Sequence, residues 1–435
     1  MSSRDPAQNE RENEEEDAML DPEEAEEEIE DDGDIAMDSG DEDEVIPLQN
    51  DSAAHFDGHT DSIFCIAQHP ANPAIVATGG GDDVAYIFDS TPEPSPLLPR
   101  SYESDPQPRE RKSLERIAKL DGHTDSVNAI AFTLPKGEYV ATAGLDGQLR
   151  VYHNASLDAR TWTFLASASE VEEINWLAAC PSPSHPNALA LGASDGSVWV
   201  YELNAADANS PLTIAQAYYL HTGPSTAGAW TPDGNLLATV SEDSSFYVWD
   251  VWGEAAAAGV ATPGTQHIVG LTGEDDRFAV EGGLYSVAIS PGGTLAAVGG
   301  AGGLIRVVGL PKLGAPAAGK PAKGAKGAAP AGGQMGQILA SLQANAESVE
   351  SLSFSDPPLT LLAAGGVDST IAIFDVARRF AIRRKIEDAH EGEAVIRAEF
   401  VKAGAGGKNG WLLTTAGNDG VIRSGVSLVF DIPLN

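Results

Sequence analysis

Sets of histidine, hydroxyl residue and aspartate recur along this chain. His123, Thr142 and Asp146 form one set; His221, Thr239 and Asp243 form another, followed by Trp249. These are the residue types of a hydrolase triad, in which a carboxylate orients a histidine that takes the proton of a hydroxyl. Their number argues against that chemistry. An active site occurs once, whereas this set returns in several copies, so its origin must be sought in the elements that carry it.

Those elements repeat. A small residue or threonine is followed by Asp four positions on and by an aromatic or bulky residue ten positions on. The pattern reads Thr78, Asp82, Phe88, then Thr142, Asp146, Tyr152, then Leu191, Asp195, Tyr201, then Thr239, Asp243, Trp249. A degraded copy follows at Val298, Gly302, Val308, then Ala364, Asp368, Phe374, and finally Thr415 and Asp419, where Gly425 stands in place of the aromatic. His59, His123, His221 and His390 precede four of these units. Before and within the units the residues alternate as strands do, as in Val127–Phe132 and Ser197–Tyr201. Seven copies at a spacing of about 50 residues mean a repeat architecture. A four-stranded unit cannot bury both its faces alone, and radial packing of such units does so while leaving only short edges.

Gly-His, a strand, Ser/Thr-x-x-x-Asp and a closing Trp-Asp together resemble the WD repeat. Trp249-Asp250, Phe374-Asp375 and Phe88-Asp89 match its closing dipeptide. The resemblance covers roughly residues 52–431 and implies an all-β, seven-bladed propeller. It also implies a structural role for His59, Asp82, His123, Thr142, Asp146, Asp195, His221, Thr239, Asp243, Trp249, Asp368 and Asp419. In that network the turn Asp orients the His, which bonds the Ser/Thr, which bonds the Trp, with Tyr152 in the Trp place of the second unit. Closure is expected from Ser52–Asp57, a strand with no earlier blade to join, pairing with the three strands of residues 393–425.

Charge narrows the function. The net charge is −39, and residues 1–45 hold 22 Asp or Glu against Arg4 and Arg11. Residues 1–48 therefore read as a disordered acidic tail, and 49–435 as the propeller. Two flexible insertions are expected, at about 90–113 (proline-rich) and 311–333 (Lys, Ala, Gly, Pro). The Arg378–Lys385 cluster reads as edge-strand charge that blocks aggregation. An acidic surface repels nucleic acid and attracts basic proteins. Cys65 and Cys180 lie alone in apolar runs, with neither a disulfide framework nor zinc spacing, so no metal and no cofactor is expected. No apolar run approaches the roughly 20 residues that span a bilayer, and the N-terminus is polar. The expectation is a protein of the cytoplasm, with the nucleus as a second address, monomeric when free.

Function must be sought on the propeller's surface, because propellers host many functions. Aligning the loops that enter each unit's first strand puts Asp61, Asp125, Glu172, Gly223, Gly282, Glu347 and Glu393 at one common position. Five of these seven are carboxylates; Glu173 and Glu350 lie beside two of them, and Glu242 precedes a turn Asp. An acidic ring on one face is the expectation, and an Arg/Lys-rich segment is its natural ligand. An acidic N-terminus followed by one such propeller resembles the branch of the family that includes the angio-associated migratory cell protein and a fungal ribosome-assembly chaperone. That resemblance implies a non-enzymatic escort that captures the basic N-terminal segment of a newly made large-subunit ribosomal protein, number ten, and supports 60S assembly. The alternatives are a WD-repeat scaffold in signalling or ubiquitin ligation, marked by aromatic and Arg hot spots, and a histone-binding adaptor.

Overall fold

The computed structural model describes residues 54–91, 112–313, 334–402 and 411–425, all within the compact unit Asn50–Asn435. The expected tail at 1–48 and most of both insertions lie outside the described residues.

The structure is a seven-bladed, all-β propeller. Blade one is an antiparallel meander of Ile63–Gln68, Ile75–Gly80, Ala85–Asp89 and Arg116–Leu120. Blades two to six repeat this four-strand order from innermost strands Val127–Phe132, Ile174–Ala179, Ser225–Trp230, Leu284–Ile289 and Val349–Phe354. Blade seven has three described strands, Val395–Lys402, Trp411–Gly417 and Ile422–Gly425.

The second strand explains the composition. Tyr139–Gly144, Ala188–Ala193, Leu236–Ser241 and Leu361–Gly366 are buried along their whole length. Blades cover both faces of these strands, so they read as continuous runs of Ala, Val, Leu and Gly instead of alternating. Glycine near the end of the strand lets the next blade approach. A β-carbon on Gly79 would lie 2.6 Å from Val127, and one on Gly365 would lie 2.8 Å from Val395. Part of the chain's high glycine content is therefore a packing requirement between blades.

Every innermost strand carries a β-bulge at the same place. The pairing with the second strand skips Phe64, Asn128, Asn175, Thr226, Tyr285, Glu350 and Ile396 in blades one to seven. A bulge re-aims the extra side chain, and three of these reach sideways. Asn128 Nδ2 donates to the Ile174 carbonyl at 2.7 Å, Asn175 Nδ2 to Ser225 at 3.0 Å, and Thr226 Oγ1 to Leu284 at 2.7 Å. Ser286 Oγ continues the chain of ties to the Val349 carbonyl at 2.7 Å, and Ser351 Oγ accepts the Ala398 amide at 2.9 Å.

The seam between blades seven and one departs from expectation. Residues 52 and 53 of the proposed closing strand lie outside the described residues, and 54–57 form no strand on Ile422–Gly425. Those residues turn to blade one instead. Phe56 stacks on Phe88 with ring centroids 4.3 Å apart, and the His55 carbonyl accepts the Leu114 amide at 2.8 Å. The physical reason is the aromatic surface of blade one: Phe56 also meets Tyr86 edge-on at 5.4 Å.

Candidate functional site

The recurring histidine sets are interior. In blade one, His59 Nδ1 donates to Asp82 at 2.9 Å and His59 Nε2 accepts from Thr78 Oγ1 at 2.9 Å. In blade two, His123 meets Asp146 at 3.0 Å and Thr142 at 2.8 Å. In blade seven, His390 meets Asp419 at 2.9 Å and Thr415 at 3.0 Å. The side chains of His123, His221 and His390 are 0% exposed, so no substrate reaches them. Asp82 and Asp146 also fasten the loop ahead of their blade's first strand: the Thr60 and Thr124 amides donate to them at 3.1 and 2.9 Å.

Several details of the expected network need correction. His221 and Asp243 are 4.0 Å apart at Nδ1 and Oδ1, and Ser245 Oγ bridges them, 2.5 Å from His221. Beyond the histidine the chain runs as expected, with Thr239 Oγ1 at 2.8 Å from His221 and Trp249 Nε1 donating to Thr239 at 2.8 Å. Tyr152 does not replace Trp in kind: its hydroxyl donates to the Asp121 carbonyl at 2.8 Å, because a phenol reaches further than an indole N–H. Asp195 has no histidine and instead accepts from Ser197 Oγ at 2.6 Å. Asp368 is met by Asn345 Nδ2 at 3.2 Å, an amide standing where other blades place histidine. Blade five lacks the Asp, and buried Arg306 holds its leading loop by donating to the Arg277 and Ala279 carbonyls, both at 3.1 Å. The Asp-x-Ser spacing shared by Asp195-Ser197 and Asp243-Ser245 was a usable signal for the serine relay; nothing local marked Arg306.

Burial decides the protonation of this network. It pushes His123 below its ordinary value and His221 down to about 4, so both are neutral at pH 7. Burial alone would raise Asp243, but hydrogen bonds from Ser245 and Thr222 bring it down to about 2.

The carboxylates lie at the opposite extreme of exposure. Ile63 pairs with Gly80 and Val127 with Gly144, so the loop leading into each innermost strand and the turn after the second strand share one end of the ring. At that end Asp61, Asp125, Glu172, Glu173, Glu242, Glu347 and Glu393 are all exposed, and Glu350 is half-buried. Asp61 and Asp125 each accept the following serine's amide at 2.7 Å, which fixes their direction without burying them. Glu350 is a bulge residue held by Ser348 Oγ at 2.6 Å. The bulge Tyr285 of blade five joins two of them electrostatically. After burial, the charges of Glu242 from blade four and Glu350 from blade six raise its phenol pKa. Two arginines at this end are already engaged: Arg277 by Asp275 at 2.7 Å, and Arg423 by Asp419 and, at 3.2 Å, by Glu391. Repulsion among unpaired carboxylates is relieved by an incoming cation.

The WD domain, G-beta repeat family matches residues 50–89, 114–153, 214–250 and 336–375. The chain is 31% identical, over 51% of its own length and 46% of the relative's, to the ribosome assembly protein SQT1 of Saccharomyces cerevisiae. It is 25% identical, over 46% of its length and 38% of the relative's, to the human angio-associated migratory cell protein. The chain thus spans less than half the length of these two curated relatives. Among solved structures, Chaetomium thermophilum Sqt1 bound to the N-terminus of the ribosomal protein L10 is 49% identical, with a TM-score of 0.73. That match covers 86% of this chain and 87% of the other.

Proposed function

We infer that this chain, which belongs to the WD-repeat family, is a ribosomal-protein escort. It takes the basic N-terminal segment of a large-subunit ribosomal protein on the acidic end of its ring and supports assembly of the 60S subunit. It is a binding protein, and its histidine sets are scaffold. The observation that carries the reading is the exposure, at one end, of carboxylates contributed by six of the seven blades. Its likeness to a propeller crystallised with the N-terminus of the ribosomal protein L10 supports a ribosomal-protein segment as the ligand.

The mechanism is electrostatic. A free ribosomal protein is basic, and until it reaches rRNA it binds polyanions indiscriminately. Carboxylates on a rigid ring mask that charge without a folding cost to the ring. Because the contact is made by exposed charges, it forms quickly and weakens with salt, so rRNA, a denser polyanion, competes the cargo away.

The test is affinity capture from lysate at low and moderate salt, comparing the wild type with the triple variant Glu172→Lys, Glu347→Lys, Glu393→Lys. Enrichment of one basic large-subunit ribosomal protein by the wild type, lost in the variant, is the expected result. A dominant partner that is a ligase or signalling component, retained by the variant, would overturn the reading.

A further inference from the structure

In blades one and two the leading histidine follows Asp-Gly, as Asp57-Gly58-His59 and Asp121-Gly122-His123. In blade four the same place holds Tyr219-Leu220-His221. Both replacements are exposed, Tyr219 by 64% and Leu220 by 41%, in loop positions where two other blades carry a charge and a glycine. Tyr218 pairs with Val198, the first residue of its strand, so Tyr219 stands at the carboxylate-bearing end of the ring.

Tyr219 has a prepared neighbour. The ring of Trp199 meets it edge-on, with centroids 5.8 Å apart at 85°. Trp199 Nε1 donates to Ser197 Oγ at 2.8 Å, and Ser197 Oγ donates to Asp195 at 2.6 Å, so the indole is held in place. Trp199 lines one crevice between blades two and three together with Glu170, Val171 and Tyr201. Glu170 is exposed, and its charge, second to burial, raises the Tyr201 phenol pKa. Glu172 and Glu173 follow in the same loop, both exposed.

An exposed aromatic face beside free carboxylates discriminates between cations. A guanidinium is planar, weakly hydrated, stacks on a ring and presents a fork of donors to a carboxylate; an ammonium is a compact, strongly hydrated point charge. The chain already uses such a contact internally, where the Arg150 guanidinium lies over Phe164 at 4.6 Å. We propose that Tyr219, braced by Trp199 next to the crevice that Glu170 lines, is an arginine-reading subsite at the rim of the acidic end. It makes the ring select arginine-bearing segments over lysine-bearing ones of equal charge. The proposal rests on the reading that this end takes a basic segment.

The experiment uses the full chain and two fluorescent octapeptides, octa-arginine and octa-lysine, in a titration at fixed moderate salt. The wild type should bind octa-arginine about 2- to 5-fold more tightly, the scale of one exposed cation–π contact. Tyr219→Ala should remove that preference and leave octa-lysine binding unchanged, whereas Tyr219→Phe should retain it. An unchanged thermal midpoint in both variants shows that the fold is intact. Equal wild-type affinity for the two peptides, or a preference that survives Tyr219→Ala, overturns the subsite alone. Failure of the wild type to bind either peptide overturns the acidic-end reading, and the subsite with it.

Discussion

His221 and Asp243 are held 4.0 Å apart, and the hydroxyl of Ser245 carries the connection between them. The proton order follows from Trp249. Its indole N–H occupies Thr239 as a donor, so Thr239 donates to His221 Nε2, His221 Nδ1–H donates to Ser245, and Ser245 donates to Asp243.

Ser245→Ala breaks this relay while leaving His221 buried with an unmet N–H. The expected loss is about 1–3 kcal/mol of unfolding free energy, read as a lower urea midpoint with an unchanged slope. Blade two, where His123 touches Asp146 directly at 3.0 Å, has no such serine to lose. A Ser245→Ala midpoint equal to the wild type's would show that the bridge contributes nothing.

Stability should fall on mild acidification. His221 titrates at about 4 in the folded chain against 6.5 when unfolded. Between these values the unfolded chain holds the extra proton, so the stability present above pH 6.5 is lost as pH drops toward 4. The loss from His221 is at most about 3 kcal/mol, and His123, also lowered by burial, acts in the same direction. Urea midpoints measured from pH 7 to pH 4.5 should decline, and His221→Gln should flatten the decline. A midpoint constant over that range would contradict neutral burial of the histidine.

Arg306 replaces the missing network of blade five. Arg306→Met removes the donors to the Arg277 and Ala279 carbonyls. Amide exchange in residues 275–283 should accelerate while the second strands of the other blades stay protected, and global stability should drop by roughly 1–3 kcal/mol. Unaltered exchange in that loop would mean that its own turns suffice to hold it.

Salt should separate surface charge from core. Binding of a basic segment should weaken steeply between 50 and 300 mM salt, since its contacts are to exposed carboxylates. The Glu172→Lys, Glu347→Lys, Glu393→Lys variant should show a shallower dependence with an unchanged thermal midpoint, because all three side chains are exposed. A salt-independent affinity in the wild type would point to an apolar interface in place of an ionic one.

Much of this molecule was legible before any coordinates. The Asp82, Asp146 and Asp243 turns, the histidines ahead of them and the alternation in Val127–Phe132 are short-range patterns, and each blade is a short-range object that folds on its own neighbours in sequence. The carboxylates before the innermost strands were legible too, because their loop position dictates exposure. What tertiary structure decided lies between segments far apart in the chain. Arg306 reaches back 27 and 29 residues to a loop whose length masks the register. Phe56 chooses the aromatic surface of blade one over the edge of blade seven. Trp199 and Tyr219 sit 20 positions apart and meet because Val198 pairs with Tyr218. Local spacing specifies strands and turns, while the neighbour that a side chain finds depends on how blades stack, and stacking leaves no period in the sequence.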